Sequence, residues 1–146
     1  MKVRKALKER TDYEAFDKLY YKTEYSYEEG RISQERTEVD PIDPPMTYGD
    51  YCENIDMGFQ EYLMLENDNG EIIGSATVID NKIDEFVIDR VHQLKGNGRV
   101  FYQLLEHRIK SMGADKVYLS CYYPGARMFW KNMGFKESGF IFIKKI

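Results

Sequence analysis

Gln93-Leu94-Lys95-Gly96-Asn97-Gly98-Arg99 joins an apolar strand, Phe86-Val87-Ile88, directly to a strongly periodic helix, and this join decides the fold. Glycines there let the backbone take φ > 0 and approach a ligand closely. The first turn of the following helix offers unpaired N–H groups at the positive end of its dipole. Lys95 and Arg99 add mobile positive charge. The stretch is built to hold an anion, although a lone glycine-x-glycine equally suits a plain turn before a helix. The weight therefore rests on its surroundings.

Downstream, Val100, Phe101, Leu104, Leu105, Ile109 and Met112 share one side of the helix, and Gly113 stops it. A strand follows at Val117 to Cys121. Pro124 suits the first turn of a further helix and Gly134 its C-terminal cap. Phe140 to Ile143 closes the sheet. Upstream, Asn67-Asp68-Asn69-Gly70 separates strands at Tyr62 to Leu65 and Ile72 to Ile79, and Asn81-Lys82 turns into Ile83 to Asp89. These three strands form an antiparallel meander. Lys2 to Leu7 alternates as a first strand. Thr11-x-x-Glu14 is a capping box opening a helix whose Phe16, Leu19 and Tyr20 share a face and which fades near Gly30. Ser33 to Met46, with Pro41, Pro44 and Pro45, reads as an ordered loop, and Thr47-x-x-Asp50 starts a second helix. The chain, residues 1–146, reads as a single α/β domain with a mixed sheet.

Its 146 residues suffice for one sizeable core. No apolar run is long enough to span a bilayer, and no secretory signal is present, so a membrane partner is not expected. Cys52 and Cys121, far apart, read as free thiols in a reducing, cytoplasmic compartment. With only His92 and His107 as imidazoles, a zinc site or a Ser-His-Asp triad lacks material, and no metal is expected. Cys121 has no activating base near it in the sequence and reads as a structural thiol, and His92 reads as solvent-facing.

Net charge is −4, but it is unevenly spread. Residues 11–72 carry seventeen acidic side chains against four basic, and residues 73–146 twelve basic against seven acidic. A basic half to hold an anionic cofactor and an acidic half to draw in a cationic acceptor is the functional reading. A solvated acidic surface is the plain one. Nucleic acid is disfavoured, because the aromatic-rich segments are acidic. The tyrosines from Tyr13 to Tyr27, with Glu28, Glu29 and Glu35, would make a site for a cationic amine where they border a cleft. Otherwise they are a half-buried helix face.

Gln-x-x-Gly-x-Gly at 93–98, followed by helix, strand and then Ala126-Arg127-Met128-Phe129-Trp130-Lys131-Asn132-Met133-Gly134-Phe135, resembles the GNAT family of acyl-CoA-dependent N-acetyltransferases. The first motif is similar to that family's pyrophosphate loop and the second to its Ala-x-x-Phe-Tyr-x-x-x-Gly-Phe segment. Together they cover roughly residues 83 to 135. The resemblance implies a mixed, mostly antiparallel sheet with helices on both faces, in which the strand before the glycine loop and the one after its helix splay apart. Acetyl-CoA, the implied cofactor, would lie in that opening, its amides pairing with unpartnered backbone groups of Phe86 to Asp89. The cofactor contacts it implies are Ile88, Asp89 and Arg90, the loop from Gln93, Leu94, Lys95, Gly96, Asn97 and Gly98 to Arg99, and Phe129 with Trp130. Ile88, or its neighbour, would aim an N–H at the acetyl carbonyl.

The implied reaction is direct acetyl transfer to a primary amine, either a small cationic molecule or a protein amino group. An alkyl ammonium with a pKa near ~10.4 must first lose a proton to a base or a water chain. Asp84 and Glu85 lie on the strand where the family often places a carboxylate, on opposite faces. Phe86 and Ile88 share the face of Asp84 and look core-directed, which favours Glu85, with water as the alternative carrier. The family's usual tyrosine position holds Trp130, whose indole N–H has no useful acidity. It packs against the cofactor arm, lines the acceptor pocket, or belongs to the core. Tyr123, or less readily Tyr122, would supply the missing phenol, unless the thiol leaves unaided. The rival reading is a non-catalytic acyl-CoA-binding sensor or interaction module on the same fold. The last strand, ending in Lys144-Lys145, either pairs in a homodimer or is protected by those charges.

Overall fold

A computed structural model describes residues 1–19, 46–122 and 124–146. The elements are β1 (Lys2–Lys5), α1 (Arg10–Asp17), α2 (Tyr48–Met57), β2 (Glu61–Glu66), β3 (Ile72–Ile79), β4 (Lys82–Ile88), α3 (Asn97–Ser111), β5 (Lys116–Ser120), α4 (Pro124–Asn132), β6 (Lys136–Ser138) and β7 (Ile141–Lys145). A short 3-10 turn, Arg90–His92, sits between β4 and α3. The seven strands form one sheet in the order β1-β2-β3-β4-β5-β7-β6, antiparallel except where β4 meets β5. The expected helix end near Gly30, the proline-bearing loop before Met46, the tyrosines from Tyr20 to Tyr27, and Tyr123 lie outside the described residues.

The meander forms as its turns dictate. Asn67 Oδ1 accepts from the N–H groups of Asn69 and Glu71 at 3.0 and 2.9 Å, closing the β2–β3 turn, and Asp80 takes a left-handed φ of 54° between β3 and β4. Both faces of the sheet are covered. Leu63 and Leu65 of β2 face the core beneath α3, with Phe101, Leu105 and Ile109, while Tyr62 and Met64 join Phe16 of α1 and Tyr51 of α2 on the other side. A strand buried on both faces reads as a continuous apolar run, as Tyr62-Leu63-Met64-Leu65 does.

β1 is tied to α1 and β2 by Arg4. Its guanidinium donates to both oxygens of the buried Asp12, at 2.7 and 2.9 Å, and its Nε to Glu66 at 2.8 Å. Asp12 also accepts from Leu7 N–H at 2.8 Å. Arg4 holds the Asp12 carboxyl below its ordinary range, against the opposing effect of burial. One departure from the sequence reading lies here. The first helix is capped at Glu9, with no side-chain cap, so Thr11 and Glu14 lie inside it and form no capping box. At α2 the expected box is present, with Thr47 Oγ1 accepting from Asp50 N–H at 3.1 Å and Asp50 accepting from Thr47 N–H at 3.4 Å.

Three further expectations change. Met112 is exposed, and Tyr102 is buried in α3 alongside Phe101. Lys136–Ser138 is an additional strand, so the last strand is no edge: β7 pairs with β5 on one side and β6 on the other. His92, expected to face solvent, is half-buried, its Nδ1 3.6 Å from the Asp89 carboxylate.

Gly74 on β3 allows β4 to lie close. A Cβ there would stand 2.9 Å from Ile88 Cδ1 and 3.0 Å from the Val87 carbonyl oxygen. Gly74→Ala is expected to cost about 1–3 kcal/mol through this overpacking. A melting temperature equal to wild type in thermal unfolding would contradict the close approach.

Candidate active site

The loop between β4 and α3 is held in shape by two side-chain amides. Gln93 Nε2 donates to the Ile88 carbonyl and Asn97 Nδ2 to the His92 carbonyl, each at 2.8 Å. Gly96 takes φ 84°, and a Cβ on it would meet nothing within 4 Å, so the space over the loop is open. The first bond into α3 runs from Val100 N–H to the Gly96 carbonyl at 3.1 Å. The N–H groups of Asn97, Gly98 and Arg99 therefore point out of the helix end. Gly98 permits close packing, since a Cβ there would lie 3.2 Å from the Phe129 ring on α4. Leu94 is fully exposed at φ 59°, an uncommon conformation for a branched side chain.

β4 and β5 share a single register pair, Lys82 with Tyr118, and part beyond it. The parting opens a cleft of about 700 Å³ between β4, the loop, the end of β5 and α4. Asp89 N–H turns away from it to the Ile73 carbonyl at 2.8 Å. By the two-residue alternation of an antiparallel ladder, Val87 and Glu85 also bond towards β3, and the backbone groups of Phe86 and Ile88 face the cleft. Gln93 occupies the Ile88 carbonyl, leaving the Ile88 N–H as a donor there.

Of the residues singled out from the sequence, Ile88, Gln93, Leu94, Gly96, Gly98, Arg99, Phe129 and Trp130 line this cleft. Asp89, Arg90, Lys95 and Asn97 do not. Trp130 is 5% exposed and ringed by Phe86, Tyr102, Phe129 and Phe135 at 4.8–5.7 Å between centroids, which places it in the core. Tyr122, exposed and tilted against Phe140, is at the cleft margin, and the buried Cys121 also lines it.

Glu85 sits where two spaces meet. A second cavity of about 200 Å³ lies on the α1 face of the sheet, and Glu85 is the one described residue common to both linings. In register, Tyr62, Thr77 and Glu85 form a row across β2, β3 and β4. Tyr13, Phe16 and Asp17 of α1 cover that row, with Gln60 beside it. Burial pushes the Glu85 carboxyl up to about 7, with the neighbouring Asp84 charge adding to the effect. Asp84 also borders the cleft, with its carboxylate 3.3 Å from Lys82 Nζ, but it does not line the second cavity. The face assignment made from alternation therefore holds. The second cavity was not legible, because its walls come from α1 and three strands; the one available hint was the shared face of Tyr13 and Phe16.

Residues 16–135 match the model of the acetyltransferase (GNAT) family. No curated protein matches the chain by sequence. Among solved structures, the fold is similar to a mutant of the BH1408 protein from Bacillus halodurans, at TM-score 0.73 and 15% identity over 94% of each chain. It is similar to the PaiA N-acetyltransferase of Thermoplasma acidophilum in complex with coenzyme A, at TM-score 0.69 and 19% identity over 99% of this chain and 98% of that one. It is also similar to a phosphinothricin acetyltransferase from Sinorhizobium meliloti in complex with AcCoA, at TM-score 0.68 and 12% identity over 99% of this chain and 87% of that one. At these identities the likeness is one of fold.

The raised Glu85 pKa has a consequence for stability. The folded chain holds the proton up to about pH 7 while the unfolded chain releases it near the ordinary glutamate range. The group's contribution is thus fully present at low pH and declines as pH rises through that window. Glu85→Gln is expected to melt higher than wild type at pH 8, by the equivalent of about 3 kcal/mol, with the difference vanishing near pH 4. Parallel melting curves across this range would show that Glu85 is not desolvated.

Proposed function

The chain belongs to the acetyltransferase (GNAT) family, and we propose that it transfers an acetyl group from acetyl-CoA directly to a primary amine, with Glu85 as the base. The observation that carries this reading is the parting of β4 from β5 below the open N-terminus of α3. The residues present fit the cofactor: an outward-facing helix end with Arg99 beside it suits a pyrophosphate, and a strand edge without a partner suits an amide-bearing arm. Two of the similar folds hold AcCoA or coenzyme A.

Gly96, Gly98 and Arg99 would receive the phosphates, the backbone of Phe86 and Ile88 the arm, and Phe129 would wall the cleft. When bound, acetyl-CoA supplies an activated thioester. The Ile88 N–H, with Gln93 holding the adjoining Ile88–Asp89 peptide, is a donor available to a carbonyl oxygen. Glu85 takes the proton from the incoming ammonium. Its pKa of about 7 leaves it partly ionised at neutral pH, where a general base works best. Trp130, packed among rings, supplies no acid. Among the described residues no helix is long and apolar enough to cross a membrane. The half-buried Cys52 and the buried Cys121, far apart in the chain, suit a cytoplasmic, single-domain enzyme.

Gly96→Asp puts a negative side chain at the helix end and is expected to abolish coenzyme A binding in calorimetric titration; undiminished affinity would remove the loop from the site. Glu85→Gln is expected to keep coenzyme A affinity and lose about 10²–10⁴ in kcat/KM. Wild-type kcat/KM should rise with pH and level off above about 7 as Glu85 ionises, and the variant should lack this step. Coenzyme A binding without acetyl transfer to any amine would instead mark a non-catalytic module.

A further inference from the structure

We infer that Asn81 is a positioning residue: it pins β4 to β5 at the closed end of their parting and so sets how far the cleft opens. What the cleft holds rests on the acetyltransferase reading, but the pin itself does not. Asn81 precedes β4 in the turn from β3 and does not line the cleft. It nonetheless joins the two strands at two points. Its carbonyl accepts from Tyr118 N–H at 3.2 Å, and its Nδ2 donates to the Lys116 carbonyl at 3.1 Å. The second bond stands in for a rung of the ladder. In a regular parallel pairing continued from Lys82 and Tyr118, the Lys116 carbonyl would accept from Asn81's own N–H. Here the side chain supplies the donor, so the join reaches past the start of β4.

The join cannot lengthen in the other direction. The β3–β4 register steps from Val78–Ile83 to Thr77–Glu85 and leaves Asp84 as an extra residue. Past that bulge the residues of β4 that bond towards β3 change parity, and a ladder with β5 loses its register. Each wall is otherwise a unit of its own, β4 along β3 and β5 along β7. Both pack under α3, where Ile83 and Ile88 share a core with Val117 and Leu119. Apolar packing is non-directional, whereas hydrogen bonds require alignment, so the angle between the walls is set by the bonds at the join. Lys82 and Ile88 are about 20 Å apart along the strand, so a tilt of about 5° at the join would move the Ile88 N–H by about 2 Å. A shift of about 1 Å is already enough to spoil the placing of a reacting group.

Asn81→Ala and Asn81→Asp test this on the intact chain. Asn81 does not take a positive φ, so neither substitution strains the backbone. The aspartate keeps the size of the side chain and loses only the donor. Its charge lies about 20 Å along β4 from the end of α3, beyond the roughly 10 Å Debye length at 0.1 M salt. In calorimetric titration with coenzyme A, each variant is expected to bind about threefold to tenfold more weakly than wild type, with the number of sites unchanged. In amide hydrogen exchange, each is expected to exchange the Tyr118 N–H at least about threefold faster, while the Asp89 N–H, bonded to Ile73, keeps its wild-type rate. Fewer sites at unchanged affinity would mean a loss of fold alone and would overturn the inference. Wild-type affinity in Asn81→Asp, or wild-type exchange at Tyr118 in either variant, would do the same. A wild-type chain that does not bind coenzyme A, with faster Tyr118 exchange in the variants, would refute the acetyltransferase reading and leave the pin standing.

Discussion

The cleft in this molecule follows from one unfinished pairing. β4 and β5 run parallel and share only Lys82 with Tyr118 before they diverge. A sheet that gives up hydrogen bonds in its middle needs those bonds replaced, and here the replacements are specific. Gln93 takes the Ile88 carbonyl, Asp89 turns its N–H back to Ile73, and β7 occupies the far side of β5. What is left unsatisfied is a narrow strip of backbone, and it lies beneath the outward-facing end of α3. The gap and the helix end are two parts of one requirement: a ligand long enough to have an anionic end and an amide-bearing arm.

The same gap also sets the surroundings of Glu85. On an unbroken sheet a residue at its position would face only one side. Because the neighbouring strand has parted, the carboxyl borders the cleft as well as the small cavity under α1. The burial that raises its pKa follows from having Tyr62, Phe16 and Thr77 around it. The free energy lost by desolvating a carboxylate is the same property that makes it a proton acceptor near neutral pH.

The legible parts of this fold were those whose cause is local. The turn at Gly96, the helix α3 and the Thr47–Asp50 capping box each depend on residues a few positions apart, and each forms where the sequence indicated, although Met112 turns outward and Tyr102 inward. Thr11 misled because the helix begins earlier, with its N-cap at Glu9 and Asp12 of its first turn bound to Arg4. Lys136–Ser138 escaped notice because three exposed residues carry no periodicity. The small cavity was hidden for a deeper reason. Its row of Tyr62, Thr77 and Glu85 exists only in one strand register, and the irregularities at Leu65/Glu66 and Thr77/Val78 are invisible in composition. Alternation named the face of Glu85 but not the company it keeps.

The position of β7 has a kinetic corollary. β5 has almost no support from β4, so its ladder depends on residues 141–145, which are made after both α4 and β6. During synthesis the meander of β2, β3 and β4 can pair as soon as it emerges, while β5 stays a one-sided strand until β7 slots in between it and β6. In chain order, the second wall of the cleft is thus synthesised after the meander is complete. The cleft therefore depends on pairings of high sequence separation, whereas the row that carries Glu85 is built from strands close together in the chain.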